Sequence, residues 1–182
     1  MGRTGNLVDI ATKMHYEGSK RKLKESQNME GGDSLKKSLA LLHGVINGKI
    51  GHGLEAIVLQ GLHVIHAEKG FMRFDFVVPN IVSDADGNWS VGALALLLDV
   101  IGIVTIYSFA NRLTSTVDFN VSYYSTIKIQ EHVEIKSKVS ANRRKLMHVV
   151  VEVRREGNGE VIAVGKLWTA SNKLTFAQVS KL

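Results

Sequence analysis

The residue best placed to do chemistry in this chain is Asp99. From Trp89 to Ala110 it is the only charged side chain in a long, mainly apolar run. Burial there would disfavour the charged carboxylate and raise its pKa, a tuning that suits a general base or a nucleophilic carboxylate. An aspartate paired with a neighbouring donor for purely structural reasons would fit the same pattern. On its helical face stand Gly92, Ala95 and Gly102, small residues that would leave a slot beside the carboxylate. Ser90, after a loop and before the apolar run, suits a helix N-cap, whose hydroxyl accepts a backbone N–H two or three residues on; a polar contact to a substrate is the other reading.

A second constellation is basic. Lys136, Lys138, Arg143, Arg144 and Lys145 follow one another with no acidic residue between them. On a hairpin end they could grip phosphates, or simply be solvated. Nucleic acid fits poorly, because the run is short, the aromatics fall at alternating core positions, and no binding motif accompanies it. The seven histidines, His15, His43, His52, His63, His66, His132 and His148, show no paired-ligand spacing. His63 and His66 are three apart in a predicted strand and so face opposite ways, so no metal site is expected. Cysteine is absent, which removes disulfides, thiolate metal ligands and thiol nucleophiles.

These residues need a scaffold. With 45% hydrophobic and 22% charged residues in 182, the composition is that of a soluble chain with one real core and an extension. Leu35, Leu39, Leu42 and Ile46 predict a helix over 34–45, with Asp33 or Ser34 as its cap. Strands are expected at 56–68 and 70–79, and Phe74, Phe76 and Val78 mark the buried face of the second. A loop carrying Asp84, Asp86 and Gly87 leads to the long helix. Beyond it, runs at 114–125, 133–139, 145–155 and 161–170 read as a meander of antiparallel hairpins, with Val117, Phe119, Val121 and Tyr123 on one side of the first. A helix with hardly any polar stripe predicts a sheet of about six strands wrapped around it, an α+β single domain of the hotdog type. The boundaries are 1–53 for a basic arm and short helix, 54–171 for the hotdog domain, and 172–182 for a tail. The apolar helix could span a bilayer by length, but a central aspartate and the lack of basic flanks argue for a buried soluble helix and no membrane span.

From about Gly53 to Ala170 the chain resembles small acyl-CoA thioesterases of the hotdog superfamily, related to phenylacetyl-CoA thioesterases and thioesterase superfamily members. The resemblance lies in Asn88-Trp89-Ser90-Val91-Gly92-Ala93, in Asp99, in the strand from Ser115 to Tyr123, and in Val161 to Lys166. Relatives open the helix with His-Gly-Gly and place an aspartate nine positions after the histidine. Here that motif reads Ser90-Val91-Gly92, so the aspartate is kept while the histidine and first glycine are not. The resemblance implies Asp99 as base or nucleophile and the N–H of Val91, with Gly92, as an oxyanion donor at the helix end. It implies substrate-facing positions at Asp84, Asn88 and Thr116 (or Ser115), for which loop solvation and ordinary strand packing are the other reading, and it suits Arg143, Arg144 and Lys145 to the phosphates of coenzyme A. No cofactor is expected, coenzyme A being part of the substrate. A homodimer or homotetramer with sites between subunits is implied.

The net charge of +6 resolves into parts. Residues 1–28 carry six basic side chains, Arg3, Lys13, Lys20, Arg21, Lys22 and Lys24, against Asp9, Glu17 and Glu25, which is half of the net charge. Ser180-Lys181-Leu182 matches the tripeptide read by peroxisomal import receptors, so a peroxisomal location is expected. The expected function is hydrolysis of acyl-CoA or aryl-CoA thioesters in lipid metabolism. The alternative is a weakened or inactive member that binds CoA esters or regulates a partner.

Overall fold

The computed structural model describes residues 32–143 and 145–171. Residues 32–46 form a helix (α1), followed by a short helix Leu54–Val58 (α2) and strands His63–Glu68 (β1) and Phe71–Val77 (β2). A 3₁₀ turn, Asn80–Val82, leads to the long helix Val91–Ala110 (α3). Four strands follow: Thr114–Tyr123 (β3), His132–Arg143 (β4), Leu146–Arg155 (β5) and Val161–Ser171 (β6). They build one antiparallel sheet in the order β1-β2-β4-β5-β6-β3. This is the hotdog arrangement, one sheet curled about one helix.

α3 has no polar stripe, so it must be enclosed. The sheet does this with alternating residues: Phe74 and Phe76 of β2, Val133 and Ile135 of β4, Val149 and Val151 of β5, and Leu167 of β6 are fully buried. Two glycines bring helix and sheet together. A Cβ on Gly102 would lie 3.1 Å from Leu167 and 3.2 Å from Val149, and one on Gly165 would lie 3.3 Å from Leu98. Gly102 therefore packs against the sheet and opens no slot beside Asp99, whereas Gly92 faces open space. α3 is long and apolar enough to cross a membrane by length and composition, yet half of its residues are buried inside this domain. Asn111 ends it in a left-handed conformation, φ 51°, its N–H donating to Tyr107 O at 3.0 Å.

Helix α1 closes the other side. Leu41, Leu42 and Val45 are buried, whereas Leu35, Leu39 and Ile46 pack at the margin, so the contact face is rotated from the expected stripe. Ser34 and Ser38 supply the rest of that face and donate to Ser108 O and Val104 O at 2.7 and 2.6 Å. Both expected caps thus lie inside the helix, where Asp33 pairs with Lys37 one turn on.

Two strand expectations change. The segment from Ala56 does not begin a strand: Val58, Leu59 and Leu62 are buried at helical spacing, and β1 starts at His63. β3 does not join the meander of β4, β5 and β6, but crosses to the far edge and pairs with β6. It also carries a bulge: Thr116 opposes Thr169 and Asp118 opposes Trp168, which leaves Val117 as an extra residue, 59% exposed. Val117 therefore does not share the face of Phe119 and Val121, contrary to the alternation read from sequence. One inserted residue reverses the parity of the strand, so Thr116 and Phe119 both face α3.

Gly102→Val is expected to lower the unfolding free energy by about 1–3 kcal/mol through overpacking. Gly92→Ala, which meets no neighbour, is expected to raise it by up to about 1 kcal/mol. Denaturant titration of both variants measures the contrast, and equal effects would show that the close contact at Gly102 is not what limits the size of that residue.

Candidate active site

The bulge brings a hydroxyl to the only carboxylate on α3. Thr116 Oγ1 donates to Asp99 Oδ1 at 2.7 Å. Asp99 is half-buried among apolar side chains, and this desolvation raises its pKa above the ordinary carboxylate value, while the Thr116 hydrogen bond pulls it back. The carboxylate is destabilised as a charge and held by a single donor, so it is reactive towards protons and still able to ionise.

The N-terminus of α3 is the second component. Ser90 is the N-cap as expected, its hydroxyl accepting from Ala93 N at 3.4 Å. Its carbonyl takes Leu94 N at 3.0 Å, and its own N–H donates to Val82 O at 2.9 Å. That leaves the first-turn N–H groups of Val91 and Gly92 without an acceptor among the described residues. Val91 has a right-handed helical backbone, so its branched side chain is accommodated without strain and stands 57% exposed. Tyr123 OH donates to Val91 O at 3.3 Å, a contact that sequence spacing had no means of showing.

The other candidates are spread around this axis. Asp84 Oδ1 accepts from Asp86 N and Asn88 N at 2.9 and 2.8 Å, and Asn88 Nδ2 donates to Oδ2 at 3.4 Å. These bonds, the one to the Asn88 backbone first, hold the Asp84 carboxyl below its usual pKa and shape the loop that leads into α3. Ser115 is exposed on β3 beside Thr116. Arg143 and Lys145 are exposed at the β4–β5 hairpin, Arg143 opposite Leu146, which in turn pairs with Ala170 and through it with Ser115. Three strand spacings, about 14 Å, therefore separate Arg143 from the Asp99 side of the sheet, and two, about 10 Å, separate Lys145, which lies beside Ser171. Lys136 is engaged by Glu134 at 3.0 Å. Arg144, the arm 1–31 and Ser180-Lys181-Leu182 lie outside the described residues. The fold also gathers Asp75, His132 and Glu156, whose ligand atoms lie within 4.8 Å of one another on three separate segments, a grouping no linear spacing reveals.

Asp99 carries a stability signature. Below the carboxyl's unfolded-state pKa it is neutral in both states and costs nothing. As pH rises through the elevated folded pKa, the folded protein must hold a charge that the unfolded chain holds more easily, and stability is lost. Asp99→Asn is therefore expected to melt above the parent at neutral pH, with the gap closing in acid. A variant that melts lower at neutral pH would assign the carboxylate to structural pairing.

Comparison with known proteins agrees with this geometry. Residues 86–162 match the sequence profile of the thioesterase superfamily. Thioesterase superfamily member 2 from zebra fish superposes with a TM-score of 0.61 at 26% identity, covering 64% of this chain and 85% of that one. A hypothetical thioesterase from Streptococcus pneumoniae, solved with coenzyme A, gives 0.61 at 16% identity over 66% and 93% of the two chains. Further structures of that protein carry alanine in place of one aspartate or one threonine. The phenylacetic acid degradation protein PaaI from Thermus thermophilus gives 0.56 at 20% identity over 62% and 94%. A search of curated protein sequences found no match. With a half-buried aspartate on the central helix and one sheet wrapped round it, the chain has the hotdog fold, and residues 86–162 are similar to the thioesterase superfamily.

Proposed function

We propose that this protein hydrolyses acyl-CoA or aryl-CoA thioesters to the free acid and CoA. The observation that carries the reading is the Asp99–Thr116 pair, a desolvated carboxylate aligned by one hydroxyl on an otherwise apolar helix. As a base, Asp99 takes a proton from the water that attacks the thioester carbonyl. The free N–H groups at the helix end hold the resulting oxyanion. Collapse of the tetrahedral species expels the thiolate of CoA, which takes the proton back. Attack by the carboxylate itself, with hydrolysis of the resulting anhydride, uses the same atoms.

Asp99 stands eight residues after Val91. Along an α-helix that is about 12 Å. One carbonyl cannot lie about 3 Å from both, as a working site requires. The base of one copy and the helix end of another would complete each other in a two-fold pair, which yields two equivalent sites. The partly exposed apolar side chains Ala93 and Leu96 of α3, outside any groove wall, support such pairing. Within that assembly Ser90, Asn88, Asp84 and Ser115 are proposed as surroundings of the thioester. Arg143, Arg144 and Lys145 are proposed for the CoA phosphates, which requires an extended pantetheine arm. Ser180-Lys181-Leu182 supports a peroxisomal location. Deleting these three residues is expected to leave a tagged protein in the cytosol under the microscope, and unchanged peroxisomal signal would count against it.

Thiol release from a panel of CoA thioesters tests the reaction. Asp99→Asn is expected to lower kcat by at least about 100-fold. Thr116→Val removes the bond that favours the charged carboxylate, so the acid limb of the kcat/KM profile should move to higher pH. Saturable binding without turnover would instead place the chain with the non-hydrolytic members, the reading that the Ser90-Val91 departure favours.

A further inference from the structure

One groove outside the catalytic pair has the composition of a ligand site. It lies between α1, the loop that follows it, and the partly exposed side of α3. Leu41 and Val45 of α1, Val100 and Ile103 of α3, and Ile50 and Leu113 line it, around a volume of about 220 Å³. The groove begins at the residue after Asp99 and extends past Ile103, four residues on and about 6 Å along the helix. Thr114 lines it too, two residues before Thr116 on the same inward side of β3. The groove and the Asp99–Thr116 pair therefore share both a helix and a strand. The Thr114 hydroxyl is itself buried, so the surface that faces the groove stays mainly apolar.

We infer that this groove receives the acyl portion of the thioester, and that α1 sets its size limit. This rests on the thioesterase reading above. An apolar cavity of about 150 Å³ is sufficient for benzene. A groove of about 220 Å³ therefore suits a phenyl ring with a short linker or a medium alkyl chain, while a long chain meets α1. Glu55 stands at the rim with its carboxylate accepting His52 N at 3.0 Å, and its charge opposes acyl groups that end in a carboxylate. The substrate class is a compact, uncharged acyl or aryl group.

Calorimetry with non-hydrolysable thioether analogues of CoA tests the inference on the full chain without requiring turnover. Octyl and phenylethyl analogues should bind more tightly than the methyl analogue, and an analogue ending in carboxylate should not. Ile103→Trp fills the groove and should weaken the octyl and phenylethyl analogues by at least about tenfold while leaving the methyl analogue within about twofold. Ile103→Ala enlarges it and should improve a dodecyl analogue, an arm that stands even if the tryptophan variant folds poorly. Size-exclusion chromatography should show the parent assembly state for both variants. Equal losses across all analogues, unaltered affinities, or no binding by any analogue would overturn the groove. Failure of thioester turnover with these selectivities intact would overturn the hydrolytic reading alone.

Discussion

The close docking of α3 onto its sheet is the contact from which the other features follow. A helix with apolar residues on every side cannot rest on a flat surface, because half of it would face water. Gly102 and Gly165 remove the side chains that would hold helix and sheet apart, and the strands then curl round the helix with Phe, Val, Ile and Leu side chains, so that half of its residues are buried, as the hydrophobic effect favours. α1 supplies cover on another side, and its two serines take carbonyl oxygens of α3 at Val104 and Ser108. What remains uncovered is a narrow side of α3 next to the edge strand β3.

Asp99 sits on that margin. Deeper among Leu97, Leu98 and Ile101 an unpaired carboxylate would simply stay protonated. In open solvent it would lose the elevated proton affinity that base catalysis uses. The half-buried position and the single bond from Thr116 place it between these limits. The helix end is tuned differently: Ser90 occupies two of the groups at the first turn, and the N–H groups of Val91 and Gly92 stay open beside an exposed side chain.

Much of this was readable from local pattern. The apolar run with one charge identified the helix and its lone carboxylate, Ser90 was recognisable as a cap, and alternation in β2 marked the face that now lines the core. The misread parts depend on interactions between distant segments. Val58, Leu59 and Leu62 suit a strand by composition and become a helical turn because their buried face is satisfied by the core. Gly102 looks like a gap beside Asp99 until Leu167 and Val149 occupy the space. The pairing of β3 with β6, the groove against α1 and the meeting of Asp75, His132 and Glu156 join residues far apart in the chain, so no spacing rule encodes them.

The extra residue at Val117 places β3 under a constraint of length rather than of side-chain type. Its side chain points to solvent, so substitutions there touch little. An added residue is another matter: taken into the ladder beside the bulge, it would turn over every position upstream on the strand, carrying the Thr116 hydroxyl outward and Ser115 inward. Among related chains, this segment should therefore tolerate varied residues at the bulge far more readily than an addition to their number.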